Sequence, residues 1–150
     1  MSTGDTAHID VMIVGAGLSG IGAACHLSQK CPNRSYALLE RRARLGGTWD
    51  LFRYPGVRSD SDMHTLGYAF KPWLAKEAIA DGPAILSYLH ETAHTYGVEE
   101  KIRFNHQLIS ASWDSEHSQW TLEVEVQSAQ RLKLTCNFLV MCAGYYDYGQ

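Results

Sequence analysis

The stretch Ile9-Asp10-Val11-Met12-Ile13-Val14-Gly15-Ala16-Gly17-Leu18-Ser19-Gly20 is an apolar run that ends on three glycines in the pattern G-x-G-x-x-G. A nearly continuous run of this kind suits a parallel strand covered on both faces, where the usual alternation is lost. Residues 20–29 carry Ile21, Ala24, Cys25 and Leu27 at helical spacing, and Pro32 and Asn33 break the chain before a second apolar run at 35–39. Strand, helix and strand in that order predict a βαβ unit and an α/β fold with a parallel sheet. Within this unit Gly15 permits the tight turn out of the strand and Gly17 clears room for a pyrophosphate over the helix N-terminus, while Gly20 lets helix and strand approach closely. Glu40 stands 20 positions beyond Gly20 at the end of the second run, placed to accept hydrogen bonds from an adenosine ribose. Its charge argues against a 2′-phosphate at that point.

Beyond Glu40 periodicity disappears until about residue 81, and Gly46-Gly47, Tyr54-Pro55-Gly56, Gly67 and Lys71-Pro72 interrupt the chain at short intervals. So long a connector is abnormal in a compact domain and predicts a site-forming excursion over 41–81, interrupted by short helices near 61–70 or 74–80. Gly46 and Gly47 are suited to let backbone approach the far part of a long dinucleotide. Trp49, Tyr54 and the rigid Pro55-Gly56 turn are suited to shape an isoalloxazine pocket. The glycine fingerprint by itself does not separate FAD from NAD. Arg41, Arg42 and Arg44 either form a solvated face or supply a side chain, Arg41 first, that covers an adenine or meets phosphate.

After the excursion, Pro83 fits the first turn of a helix running to Tyr96, with Ile85, Leu86, Leu89, Ala93 and Tyr96 inward and Gly97 as its stop. Residues 101–104 suit a short third parallel strand. From 107 to 136 the period becomes two: Trp120, Leu122, Val124 and Val126 share a face opposite Thr121, Glu123 and Glu125, and Leu132, Leu134 and Cys136 repeat the pattern after a turn near 128–130. With a first strand through 108–113 this makes a small antiparallel meander over about 107–136. A further buried strand over 138–143 then closes at Gly144, on the edge that faces a ligand.

The 150 residues, 45% hydrophobic and 19% charged with a formal charge of −3, suffice for one soluble core over 1–150. Seven of the 13 basic residues fall between Lys30 and Asp60, against three acidic ones, so any anion-handling surface belongs there and a general nucleic-acid surface is excluded. Cys25, Cys31, Cys136 and Cys142 form no CxxC pair and read as buried thiols. With no export signal or long apolar window, this predicts a reducing, cytoplasmic setting and carries no strong membrane signal. His90-Glu91-Thr92-Ala93-His94 spells HExxH on the predicted helix, but no third protein ligand is specified, and no metal site is expected. Asn33-Arg34-Ser35 reads as a turn rather than a glycosylation acceptor, and Trp73, Trp113 and Trp120 as packing residues.

Gly46-Gly47, Trp49, Tyr54-Pro55-Gly56 and Asp60, added to the dinucleotide fingerprint, resemble the early signature of the Baeyer-Villiger-type flavin-containing monooxygenases. The resemblance spans about residues 10–146, through Arg58-Ser59-Asp60-Ser61-Asp62 and Cys142-Ala143-Gly144-Tyr145-Tyr146. It is nearest to the bacterial members that activate thioamide prodrugs. It implies that Gly15, Gly17 and Gly20 cradle the FAD pyrophosphate, that Glu40 holds the adenosine ribose, and that Gly47, Thr48 and Trp49 line the flavin. It also implies that the segment around Leu108 passes the adenine by backbone contact and that Gly144 approaches the cofactor. Asp60 would help position a catalytic arginine from a later segment; as a residue it is equally a turn-capping carboxylate. The family uses FAD, NADPH and oxygen to insert oxygen beside a ketone carbonyl or to oxidise a sulfur compound. The chain shows no second glycine fingerprint for NADPH after Gly20, which predicts an FAD-binding Rossmann-like domain ending before the NADPH domain, with little or no turnover of its own. The alternatives are an FAD-binding fragment without independent turnover and a flavin-dependent pyridine-nucleotide reductase.

Overall fold

In the computed structural model, which describes residues 7–127 and 130–146, the first strand β1 (Ala7–Val14) leads into α1 (Leu18–Lys30) and returns as β2 (Tyr36–Glu40). β1 pairs with β2 in parallel, with Val11 against Tyr36 and Val14 against Leu39, so the predicted βαβ unit is present. The excursion carries two single-turn helices, α2 (Thr48–Leu51) and α3 (Met63–Leu66). α3 falls inside the expected 61–70 window, but 74–80 is not helical. Instead that segment runs back along the excursion, with Ser59 N–H donating to Ala80 O and Met63 N–H to Ala78 O.

The next helix, α4 (Gly82–Thr95), starts as its sequence dictates: Pro83 sits in the first turn and the Asp81 carboxylate accepts from Ala84 N–H at 2.8 Å. Ile85, Leu89 and Ala93 are buried, whereas the expected inward residues Leu86 and Tyr96 are only half-buried; Tyr88 and Thr92 take the remaining core positions. Gly97 follows with a φ of 66°, where a left-handed residue ends the helix. A 3-10 turn at Glu99–Lys101 then feeds β3 (Ile102–Phe104), which adds in parallel to β2.

The meander comprises β4 (His106–Asp114), β5 (Gln119–Val126) and β6 (Gln130–Met141). Its predicted third strand and the predicted separate strand over 138–143 are one element: β6 pairs antiparallel with β5 over Gln130 to Cys136 and in parallel with β1 from Leu134 to Met141. Residues 128–129 of the predicted turn lie outside the described residues. The result is a six-stranded mixed sheet of order β3-β2-β1-β6-β5-β4. The far part of β6 is less covered than expected, with Phe138 70% and Met141 59% exposed.

Two apolar clusters flank the sheet. On one face Val11, Ile13 and Leu38 meet Ile21, Ala24 and Cys25 of α1 and Ile85, Leu89 and Ala93 of α4. On the other, Met12, Ala37 and Leu39 meet Leu122, Val124, Leu134 and Cys136, so the meander rolls over the central strands. This holds the start of β4 against the end of β2, where Asn105 N–H donates to Arg42 O at 3.1 Å. Of the four thiols Cys25 and Cys136 are buried, but Cys31 is exposed and Cys142 half-buried, which corrects the expectation for all four. Cys31 is the C-cap of α1, at the exposed end of that helix.

Candidate dinucleotide-binding site

The carboxyl ends of β1, β2 and β6 converge at Val14, Glu40 and Met141, around a cleft of about 840 Å³. Ligands of open α/β sheets bind at such strand ends, where neighbouring connections diverge. Backbone bonds fix the rim: Gly15 N–H donates to Leu39 O and Cys142 N–H to Val14 O, both at 2.8 Å, and Gly46 N–H donates to Ala16 O at 2.9 Å.

The three glycines of the fingerprint divide by role. Gly15 has a φ of 105°, and a Cβ there would stand 2.4 Å from Cys142 O, so the turn and the approach of β6 both require it. A Cβ on Gly20 would stand 1.9 Å from Gly15 O, which makes it the contact by which α1 presses onto the end of β1. Gly20 therefore shapes the cleft without lining it. Gly17 is the N-cap of α1, and among the described residues no side chain caps that helix; Leu18 and Ser19 of its first turn border the cleft. Uncapped N–H groups and the positive end of a 13-residue helix thus face an open space, the setting that receives phosphate.

Gly46 and Gly47 bring the excursion onto this helix end. Both have positive φ, 116° and 53°; a Cβ on Gly46 would meet Leu86 Cδ1 at 2.4 Å, and one on Gly47 would meet Gly17 Cα at 3.1 Å. The space between Gly17 and Gly47 is one that side-chain carbon would begin to fill and a slender phosphate chain fits. Thr48 and Trp49 continue the wall. Glu40 is 6% exposed, with Oε2 accepting from Ala16 N–H at 3.0 Å and Oε1 from Arg42 N–H at 2.9 Å. A carboxylate has about four acceptor sites, so these two bonds fix its orientation and leave capacity for two hydroxyls.

Beneath the cleft Asp50 is 2% exposed and gathers three arginines: Arg42 at 2.5 Å, Arg53 at 2.6 Å and Arg44 at 3.3 Å. Burial alone would raise its carboxyl, but the hydrogen bond from Arg53 and the charges of Arg42, Arg44 and Arg53 outweigh it and hold the group below its ordinary value of 3.8. Sequence reasoning passed over Asp50, although it is the only acid between Glu40 and Asp60 in a stretch rich in arginine.

Of the residues singled out in the sequence, Gly15, Gly17, Glu40, Arg41, Gly47, Thr48, Trp49, Leu108 and Gly144 line the cleft together. Asp60 does not; it is exposed on the excursion. Arg42, which the sequence offered behind Arg41, also lines it, as do His106, Gln107, Tyr145 and Tyr146, to which the sequence gave no site role. Tyr146 packs edge-on against Phe52 at 5.0 Å between ring centres, joining the exit of β6 to the excursion across the mouth. The HExxH histidines lie elsewhere. His94 Nδ1 is 3.2 Å from Glu99 and His90 Nδ1 is 4.0 Å from it, while Glu91 pairs with Lys71 at 3.1 Å. Among the described residues no such group is arranged to hold a metal ion.

Fold and cleft together define a Rossmann-like dinucleotide-binding domain, and residues 13–75 match the family model of the NAD(P)-binding Rossmann-like domain. Over 97% of its length the chain is 56% identical to the FAD-containing monooxygenase EthA of Mycobacterium tuberculosis, and 53% identical to the EthA of Mycolicibacterium smegmatis. It spans 29% of the length of each of these curated relatives. Among solved structures, an oxidized steroid monooxygenase bound to NADP superposes with a TM-score of 0.82 at 31% identity, covering 92% of this chain and 26% of that one. The chain is thus similar, over nearly its whole length, to a Rossmann-like dinucleotide-binding part of the FAD-containing monooxygenases, and its structural neighbours are Baeyer-Villiger monooxygenases.

Proposed function

We propose that the chain is the FAD-holding part of an NADPH-dependent flavoprotein monooxygenase. The observation that carries this reading is the joining of Glu40, the uncapped start of α1 and the Gly46-Gly47 turn along one continuous cleft. An adenosine ribose, a pyrophosphate and a flavin arm need those three features in that order. FAD, when bound, supplies the electron transfer and oxygen chemistry of such an enzyme. This chain's residues bind and orient it: Glu40 accepts from the ribose, the α1 N–H groups meet the pyrophosphate, and Thr48 and Trp49 wall the flavin side. The stretch around Leu108 passes the adenine, and Gly144 closes the opposite wall.

The relatives' names support FAD, and the steroid monooxygenase supports NADP as the second nucleotide. The substrate class we assign to the whole enzyme is a ketone, oxidised beside its carbonyl, or a soft sulfur compound, with oxygen as co-substrate. In that enzyme Asp60, exposed here, positions an arginine from outside these 150 residues. No helix among the described residues is long and apolar enough to cross a membrane.

The experiment is anaerobic addition of NADPH to the flavin-loaded enzyme that contains this chain, followed by oxygen and product analysis. Bleaching of the flavin spectrum and an oxygenated ketone or sulfide product support the reading. Flavin reduction without any oxygenated product would identify a flavin-dependent reductase instead. The 150-residue chain alone is expected to bind FAD and to show little or no NADPH-dependent oxygenation.

A further inference from the structure

Arg41 and Arg42 both border the cleft, yet their settings differ. Arg41 is exposed, whereas the Arg42 side chain is only 22% exposed and is anchored at both ends. Its own N–H donates to Glu40 Oε1, and its carbonyl accepts from Asn105 N–H at the start of the meander. Its guanidinium reaches along the cleft floor, with Nη2 donating to Asp50 at 2.5 Å and Nη1 to Gly47 O at 3.4 Å. The side chain therefore leaves the ribose-binding carboxylate and arrives at the glycine turn that faces Gly17 and the start of α1. A guanidinium has five N–H donors in a planar fork, and these bonds engage two of them.

Charge points the same way. Asp50 carries one negative charge against three arginines, of which Arg44 and Arg53 are 59% exposed. One carboxylate leaves the cluster with net positive charge, and Arg42 is its least exposed arginine and the one that borders the cleft.

We propose that Arg42 is the side chain that recognises the dinucleotide's phosphates in this cleft, and that buried Asp50 is the positioning residue that holds its guanidinium on them. This rests on the reading of the cleft as an FAD site. Arg42 supplies charge-assisted hydrogen bonds from the side opposite the α1 N–H groups, so the pyrophosphate is held between a helix end and a guanidinium. Asp50 fixes which way the fork points, which a mobile surface arginine would have to settle on binding.

The test is a titration of the 150-residue chain with FAD, ADP and adenosine, comparing wild type with Arg42→Gln, Arg42→Lys and Asp50→Asn. ADP and adenosine share everything except the phosphates, so the ratio of their affinities reports phosphate recognition. General loss of structure weakens both ligands and leaves that ratio alone. Arg42→Gln is expected to weaken FAD and ADP by about 10- to 100-fold, the range of a charge-assisted bond, and to leave adenosine unchanged. Arg42→Lys restores part of the loss, and Asp50→Asn lowers the ADP-to-adenosine ratio with no further effect when Arg42 is already Gln. If wild type binds FAD while Arg42→Gln keeps the wild-type ratio, the proposal is overturned. If folded wild type binds neither FAD nor ADP, the reading of the cleft itself falls.

Discussion

Gly17→Ala and Gly20→Ala alter neighbouring glycines of one motif, and the structure predicts opposite outcomes. At Gly17 φ is −87° and ψ −166°, an extended conformation that alanine adopts, and the added Cβ meets Gly47 alone, its Cα at 3.5 Å and its N at 3.9 Å, both ordinary contacts. Alanine is the poorer N-cap by about 1 kcal/mol. It also restricts the unfolded chain more than glycine, a gain of about 0.4–1 kcal/mol. The two nearly offset, and the stability of Gly17→Ala is expected within about 1 kcal/mol of wild type. Its methyl group stands where the phosphate chain passes, and crowding of this order costs about 1–3 kcal/mol, so FAD affinity falls by roughly 5- to 150-fold. At Gly20 helix propensity favours alanine by about 1 kcal/mol. However, the Cβ lies 1.9 Å from the backbone oxygen of Gly15, which no rotamer change relieves. The helix must move off the strand, and Gly20→Ala is expected to lose about 2 kcal/mol or more. Urea unfolding and flavin titration on the same samples measure both quantities. The reasoning fails if Gly20→Ala is as stable as wild type, or if Gly17→Ala binds FAD unchanged.

Three further outcomes are expected. Glu40→Gln replaces one of two acceptors that hold Ala16 and Arg42 N–H with a donor, and should cost about 1–3 kcal/mol in urea unfolding as well as FAD affinity; unchanged stability would contradict the hydrogen-bond assignment. The Asp50 carboxyl lies lower in the folded chain than its ordinary 3.8, so its stabilisation is present above that value and is lost as pH falls through the lower folded value. Asp50→Asn should accordingly be destabilised near neutrality yet show a shallower loss in acid, which a pH series of thermal unfolding reads. Thiol labelling of the native chain should modify Cys31 first and spare buried Cys25, whose thiol burial pushes up to about 11, and Cys136 until unfolding; equal rates would place Cys31 in the core.

The βαβ unit was legible because its apolar runs, helix face and glycines are all local signals pointing to the same structure. The approach of Gly46 and Gly47 to the cleft was legible for a similar reason, since paired glycines in a long irregular segment mark close backbone approach, whereas Thr48 was named through the family resemblance alone. The unity of β6 was hidden by a change of partner. Its pattern alternates through Leu132, Leu134 and Cys136 beside β5, then runs continuously beside β1, so one strand reads as two. Asp50 was missed because ion-pair partners meet through the turns of α2 and the excursion, geometry that spacing does not encode. Its residual signal was a lone acid among Arg41, Arg42, Arg44 and Arg53.

The most direct test is the stoichiometry of FAD on the folded 150-residue chain, measured by absorbance after gel filtration and by titration of flavin fluorescence. Saturable binding of one FAD per chain, competed by ADP and weakened in Gly17→Ala, is the expected result. A chain that keeps its cooperative unfolding transition but neither retains nor binds FAD would contradict the assignment of the cleft.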